Sequence, residues 1–269
     1  MKNGISAYLV VYHEEKVIER CLKSLVGVVN EIIVIHDGPC LDKTMEIAKK
    51  YTNHVFEKEH KGISELHRID ILQKCHFPWV IQMDADEFLS EELKEKLPTL
   101  IKGKEIDAYA FLWKVWNGKK YLTKNFPFKT ILFRKEKMGY ITFPGRDPFT
   151  YGKKKNESLI LEHQPNYNNY TIDVFQKKWY PWIKVHADFL VKENFSSFQV
   201  SQKDLQIFFS RQRSILQLAH PLLAPLWFLY SCGKSFSNGF YKNPNVWHLP
   251  VLQGMYGFCL CLEIWKRKR

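Results

Sequence analysis

The sequence predicts an α/β fold, a mostly parallel sheet flanked by helices, followed by a helical, basic C-terminal region. Three observations carry that prediction. In the first 100 residues, apolar runs of strand length alternate with stretches whose apolar residues recur at helical spacing, the signature of successive strand–helix units. The run Trp79-Val80-Ile81-Gln82-Met83 then discharges into Asp84-Ala85-Asp86-Glu87, at the kind of strand end where α/β sheets gather ligands. Charge is also divided: residues 1–100 hold 13 Lys and Arg against 17 Asp and Glu, and the remainder holds 27 against 11.

Taken in order, Ile5 to Tyr12 reads as a buried strand. Glu14 to Leu25 places Val17, Ile18, Cys21, Leu22 and Leu25 on one helical face. Glu31 to Ile35 is a second strand, closed by the turn signal His36-Asp37-Gly38-Pro39. Asp42 can cap a helix over Lys43–Tyr51. His54-Val55-Phe56 is a short third strand, and Gly62 precedes a helix that carries Ile63, Leu66, Ile69, Ile71 and Leu72 inward. Beyond Leu100 the pattern changes. Asp107 to Trp116 is β-prone and aromatic, Asn117-Gly118 signals a hairpin, and Lys129 to Arg134 gives another strand. Trp113 and Trp116 either stack on a bound ring or pack in the core. The expected division is a domain over 1–165, with halves over 1–100 and 101–165, and a helical region over 166–269.

The 269 residues are 45% hydrophobic and 15% aromatic, enough for a sizeable core. Cys21, Cys40, Cys75, Cys232, Cys259 and Cys261 form no CxxC and read as reduced thiols. Met1-Lys2-Asn3-Gly4 does not open a signal peptide, so a cytoplasmic location is expected. The basic back half predicts an anionic partner. No aromatic-plus-basic motif for RNA accompanies it, so no nucleic acid is expected. Two apolar stretches, Ile215–Cys232 and Trp247–Trp265, approach spanning length but contain Pro221, Pro225 and Pro250. They suit helices lying peripherally on the inner face of the membrane, with Lys266–Arg269 against anionic lipid. A packed helical subdomain is the other reading. Gly233-Lys234-Ser235 does not end a phosphate-binding loop, because Phe228 stands where that loop needs its first glycine.

Asp84 and Asp86, two residues apart at a strand end, suit a divalent cation with oxygen ligands that also bridges phosphates, Mn²⁺ or Mg²⁺, with Glu87 in support. Three pieces then line up: Tyr12-His13-Glu14-Glu15 after the first strand, Asp37 with Asp42 and Thr44 after the second, and Asp84-Ala85-Asp86-Glu87. Together they resemble the nucleotide-binding half of family 2 glycosyltransferases, whose fold is the Rossmann-like GT-A sheet. Ser237-Asn238-Gly239-Phe240 is similar to the tail of some lipopolysaccharide-core transferases. The resemblance implies an inverting, metal-dependent transfer from a nucleotide-sugar donor to a glycan or glycolipid acceptor. It assigns Asp37 to the nucleotide base, Lys61, Gly62 and Arg68 to the diphosphate side, and Asp84 to both donor and metal. Asp86 and His163 then complete the metal set, although Ile69 stands where the family often has Asn. It also implies a carboxylate base in a loop after the acceptor strands, for which Asp147 within Pro144–Pro148 is the candidate; pairing with Arg146 or shaping the turn is the alternative role. Two other classes remain in view. A non-enzymatic basic module would leave the acidic strand end idle. A sugar-phosphate nucleotidyltransferase would need a Gly-rich loop where Tyr12-His13-Glu14-Glu15 stands.

Overall fold

Uncharged and apolar but for one serine and one tyrosine hydroxyl, Ile5–Val11 forms β1, the strand around which the first unit is laid down. The computed structural model describes residues 3–192 and 195–269; the Met1-Lys2 start read above lies outside the described residues. The chain divides into two compact units, Met1–Thr142 with Arg146–Tyr167, and Phe143–Gly145 with Asn168–Arg269.

In the first unit β2 (Glu31–Asp37), β3 (His54–Lys58) and β4 (Trp79–Gln82) pair in parallel around β1, in the order β3-β2-β1-β4. Every residue of β2 and β4 is buried, as fits strands covered on both faces. The sheet continues through β5 (Glu87–Leu89), β6 (Ala108–Trp113) and β7 (Phe128–Arg134). A short pair, β8 (Met138–Ile141) and β9 (Phe149–Thr150), stands apart, and β10 (Lys154–His163) returns to the main sheet. The full order is β3-β2-β1-β4-β7-β6-β10-β5. β7 runs antiparallel to β4 and to β6, while β10 is parallel to β6 and antiparallel to β5. The α/β class is as expected, but parallel pairing dominates only the first half. β6 connects to β7 without a crossover helix, and such a pair must be antiparallel.

The crossover helices are α1 (Ile18–Leu25), α2 (Thr44–Lys49) and α3 (Arg68–Lys74); α4 (Glu91–Leu100) follows β5. α1 buries Ile18, Cys21, Leu22 and Leu25, the face read from the sequence. It starts four residues later than the periodicity suggests; in the segment before it the Glu14 and Glu15 N–H groups are taken by Thr44 Oγ1 at 2.7 Å and Asp42 Oδ2 at 3.2 Å. Asp42 also accepts from Thr44 N at 2.9 Å, but Lys43 stands at the N-cap of α2, so Asp42 braces the start of the helix from one residue before the expected cap position. The Asn117-Gly118 turn is present, but it joins only one bridge, Trp116 with Tyr121. All six cysteines are free thiols.

The second unit is helical. α5 (Ile172–Val174) runs through a wider turn at Phe175–Trp179 into α6 (Tyr180–Lys192), followed by α7 (Gln202–Leu218), α8 (Ala224–Ser237) and α9 (His248–Lys268). Phe143, Phe189, Phe195 and Phe208 pack ring against ring, with Phe195 and Phe208 centroids 5.3 Å apart. α8 and α9 meet through glycines. A Cβ at Gly257 would fall 2.2 Å from Ser231 Oγ and 2.8 Å from the Trp227 carbonyl oxygen, and one at Gly254 would fall 2.7 Å from the Phe228 ring.

The terminal basic cluster differs from its expected role. Glu263 accepts from Tyr180 Oη at 2.9 Å, Lys266 Nζ at 2.9 Å and Arg267 Nη1 at 2.5 Å, while Arg267 Nε reaches Asp188 Oδ1 at 2.7 Å. Two of the four terminal cations therefore pair within the unit, where they secure α9 to α6. Burial would raise the Glu263 carboxyl, but the bonds from Arg267, Lys266 and Tyr180 outweigh it and hold the group at about 2. Since the folded value lies below the ordinary one, this contribution is complete above about pH 4.5 and is lost as pH falls towards 2. Glu263→Gln is expected to cost about 2 kcal/mol at pH 7 and to converge with wild type near pH 2, read as Tm against pH. Equal Tm values at pH 7 would show that the cluster does not hold α9.

No single described helix is long and apolar enough to cross a membrane; α7 with the Pro221–Ser237 segment passes by length and composition but bends by 100°.

Candidate active site

The site is set by strand register. β4 faces β7 with Trp79 opposite Arg134, Val80 opposite Phe133 and Ile81 opposite Leu132. Continuing that register three residues brings Lys129 opposite Asp84. Lys129 Nζ lies 2.5 Å from Asp84 Oδ2 and 2.6 Å from Glu87 Oε1. Glu87 is fully buried. It also accepts from Trp113 Nε1 at 2.5 Å and, through Oε2, from the Asp84 N–H at 2.9 Å. Thus Glu87 shapes the acidic turn from beneath, and the counter-cation demanded by this strand end is in part a lysine that sequence reasoning passed over.

The charges polarise the two carboxyls in opposite directions. Burial pushes the Glu87 carboxyl up, with Lys129 opposing and Asp84 reinforcing the rise. Burial would raise Asp84 too, but the Lys129 ammonium outweighs it and holds that carboxyl below the ordinary range. Burial works against the Lys129 charge, and Asp84 and Glu87 raise its pKa well above the ordinary value.

Asp86 points elsewhere. Its Oδ2 lies 3.5 Å from Nε2 of His163, the last residue of β10, which register places opposite Glu87. The imidazole is buried and stacked on Trp113, centroids 4.1 Å apart and planes 25° from parallel, and its Nδ1 has no hydrogen-bond partner among the described residues. Two ligands about 2.1 Å from one octahedral ion stand about 3 Å apart, so a carboxylate oxygen and an imidazole nitrogen facing each other here fit one divalent ion. An N,O donor set suits Mn²⁺ better than Mg²⁺. Among the described residues, Asp84, Asp86 and His163 do not bring three ligand atoms within 4.8 Å of one another, and the Asp84 carboxylate is paired with Lys129. The group that does so is His36, Cys40 and Asp42, whose polar atoms are taken by the Gly38 carbonyl and by the Thr44 and Glu15 N–H groups.

A second cluster joins Arg68 to Asp147, as their separate assignments did not foresee. Buried Arg68 donates from Nη1 to the Arg146 carbonyl at 2.6 Å and lies 3.5 Å from Asp147 Oδ1. Gln82, the last residue of β4, donates to the same Oδ1 at 3.4 Å while accepting from Tyr8 Oη at 2.7 Å. The Asp147 side chain is more than half exposed, so this carboxylate is positioned from one side and open on the other.

The Asp37 carboxylate is bonded on both oxygens. Its Oδ1 accepts from Lys61 N at 2.6 Å and from His67 Nε2 at 2.7 Å, and its Oδ2 accepts from Gly62 N at 2.9 Å. Burial would raise this carboxyl, but the His67 bond and the Lys61 N–H outweigh it and lower the pKa. The carboxylate fixes the 60–62 loop rather than facing outward. Lys61 contributes its N–H to that latch and leaves its side chain exposed. Tyr12, His13, His36 and His60 cluster as rings beside it, with Tyr12 and His60 centroids 4.9 Å apart. Trp113 is committed to His163 and Glu87. Trp116 lines a groove with Lys16, Arg20 and Gln164, and Gln164 N donates to the Asp86 carbonyl at 3.0 Å.

The family model described as glycosyl transferase family 2 matches residues 6–155. An uncharacterized glycosyltransferase of Rickettsia bellii is 30% identical over 106 residues, 39% of this chain and 35% of that protein. The lipopolysaccharide core biosynthesis glycosyltransferase LpsC of Rhizobium meliloti is 29% identical over 105 residues, 37% of this chain and 38% of that protein. The chain thus spans little more than a third of the length of these relatives. Among solved structures, S. aureus TarS 1-349 aligns over 99% of this chain and 92% of its own, with a TM-score of 0.49 and 13% identity. Glucosyl-3-phosphoglycerate synthase from Mycobacterium tuberculosis, in complex with Mn²⁺ and UDP-glucose, aligns over 42% of this chain and 44% of its own, with a TM-score of 0.33 and 24% identity.

Proposed function

The chain belongs to glycosyl transferase family 2, and we propose that it is an inverting, metal-dependent enzyme that moves a sugar from a nucleotide-diphosphate donor to a glycan or glycolipid acceptor of the cell surface. The observation that carries this reading is the Asp86–His163 pair, a partly exposed carboxylate against a buried imidazole, beside an Asp84 already paired with Lys129. A divalent ion held by Asp86 and His163 would offset the charge that grows on the departing diphosphate. Asp147 then serves as base: its exposed carboxylate takes the acceptor hydroxyl proton as that oxygen bonds to the anomeric carbon. The bond from that carbon to the diphosphate breaks with its electron pair leaving on the phosphate oxygen. Arg68 and Gln82 hold Asp147 in place through Oδ1. The groove bearing Lys16, Arg20 and Trp116 adjoins Asp86 through Gln164 and suits an anionic sugar acceptor.

Thermal shift tests the reading. One nucleotide diphosphate sugar, at about a hundredfold excess over its Kd, is expected to raise Tm by about 5 °C with Mn²⁺ present and much less without it. No metal-dependent shift across UDP-, GDP-, ADP- and dTDP-sugars would overturn it.

A further inference from the structure

We propose that the outward face of α8 is a docking surface for an anionic lipid bilayer. One face of α8 is spent on α9: Trp227, Phe228 and Ser231 meet Gly254 and Gly257, and Ala224 and Ser235 are buried. The opposite face is apolar and uncovered. Leu222 is 82% exposed, Leu226 58%, Leu229 63% and Tyr230 71%, and these residues recur at three- and four-residue intervals, so they form one stripe. Exposed Lys234 continues it one turn beyond Tyr230. α7 supports the same arrangement. Its exposed residues Ile207, Arg211, Ser214 and Leu218 share a face, and Leu218 ends it just before the 100° bend that leads into Leu222. A bent pair with apolar outward residues and basic flanks lies in the headgroup boundary rather than through the membrane.

Charge selects the occupant. Residues 168–269 carry 13 Lys and Arg against 5 Asp and Glu. Exposed Arg211, on the outward face of α7, and Lys234 form no ion pair among the described residues. A twofold contact between copies would bring these cations together, whereas anionic headgroups complement them. The cations doing this work lie on α7 and α8, since Lys266 and Arg267 are paired inside the unit. The proposal is independent of the sugar-transfer reading.

The test is vesicle flotation of the full chain with phosphatidylglycerol–phosphatidylcholine vesicles and with phosphatidylcholine alone. Partitioning onto the anionic vesicles is expected to exceed that onto neutral ones about tenfold and to fall with added salt. Leu226→Glu with Leu229→Glu is expected to lower it at least about tenfold with Tm unchanged. Lys234→Glu with Arg211→Glu should weaken only the anionic preference. Should the double leucine variant fail to fold, Tyr230→Ser reads the same face. Absence of binding to anionic vesicles, or binding that these variants leave intact, overturns the proposal. So does a dimer in sedimentation that the leucine variant dissociates, because the face would then belong to a second copy.

Discussion

Asp86→Ala is expected to reduce turnover about a thousandfold and to abolish the Mn²⁺-dependent part of donor stabilisation, while leaving the Tm of the ligand-free protein within about 1 °C. The asymmetry comes from what each carboxylate does at rest. Among the described residues the Asp86 side chain pairs with His163 alone, at a distance too long for a good hydrogen bond, so little folding free energy rests on it. Asp84→Ala would also lower activity, but it removes one of two anions paired with a buried ammonium and so confounds catalysis with stability. Asp86 is the cleaner position, and Asp86→Asn preserves its shape. Turnover within tenfold of wild type, or an undiminished Mn²⁺ shift in either variant, would remove Asp86 from the metal site.

Lys129→Met should be the most destabilising single change among the polar residues of this site. It strands Glu87, which is fully buried, and relieves Asp84 of its only close cation among the described residues. Breaking a buried pair on one side costs about 3–5 kcal/mol, which corresponds to a fall in Tm of about 10 °C or more for a chain of this size. Glu87→Gln in the same molecule should recover a substantial part of that loss, since the neutral amide no longer needs the ammonium. The recovered part is the coupling free energy of a double-mutant cycle. A loss below about 1 kcal/mol for the single variant, or no recovery in the double, would mean that Lys129 is not what stabilises the acidic turn.

The parallel half of the sheet was legible in the sequence because each strand there is a short apolar run and each helix has a distinct apolar face. The positions of Asp84, Asp86 and His163 at or just beyond strand ends were legible for a related reason. What could not be read was pairing across distance. Lys129 looks like the first residue of an ordinary strand, and only the β4–β7 register brings it to Asp84. Arg68 and Asp147 were each picked out separately, yet local pattern gave no hint that they touch. Asp37 was correctly placed at a strand end, but its commitment to the Lys61 and Gly62 N–H groups depends on a loop whose path no spacing rule fixes. At the C-terminus the two apolar stretches were visible, whereas the split between the stripe that packs and the stripe that faces out depended on the glycines of α9.

Register has a kinetic corollary. The contacts that complete the site join residues far apart along the chain: Lys129 and Asp84 are 45 residues apart, and Arg68 and Asp147 are 79 apart. Loop closure over such distances is slow compared with forming β1, α1 and β2, which are neighbours in sequence. Until β7 docks, the acidic turn carries its negative charge without the lysine that offsets it. The proposed donor site would therefore be completed late in folding, once the mixed half of the sheet has closed.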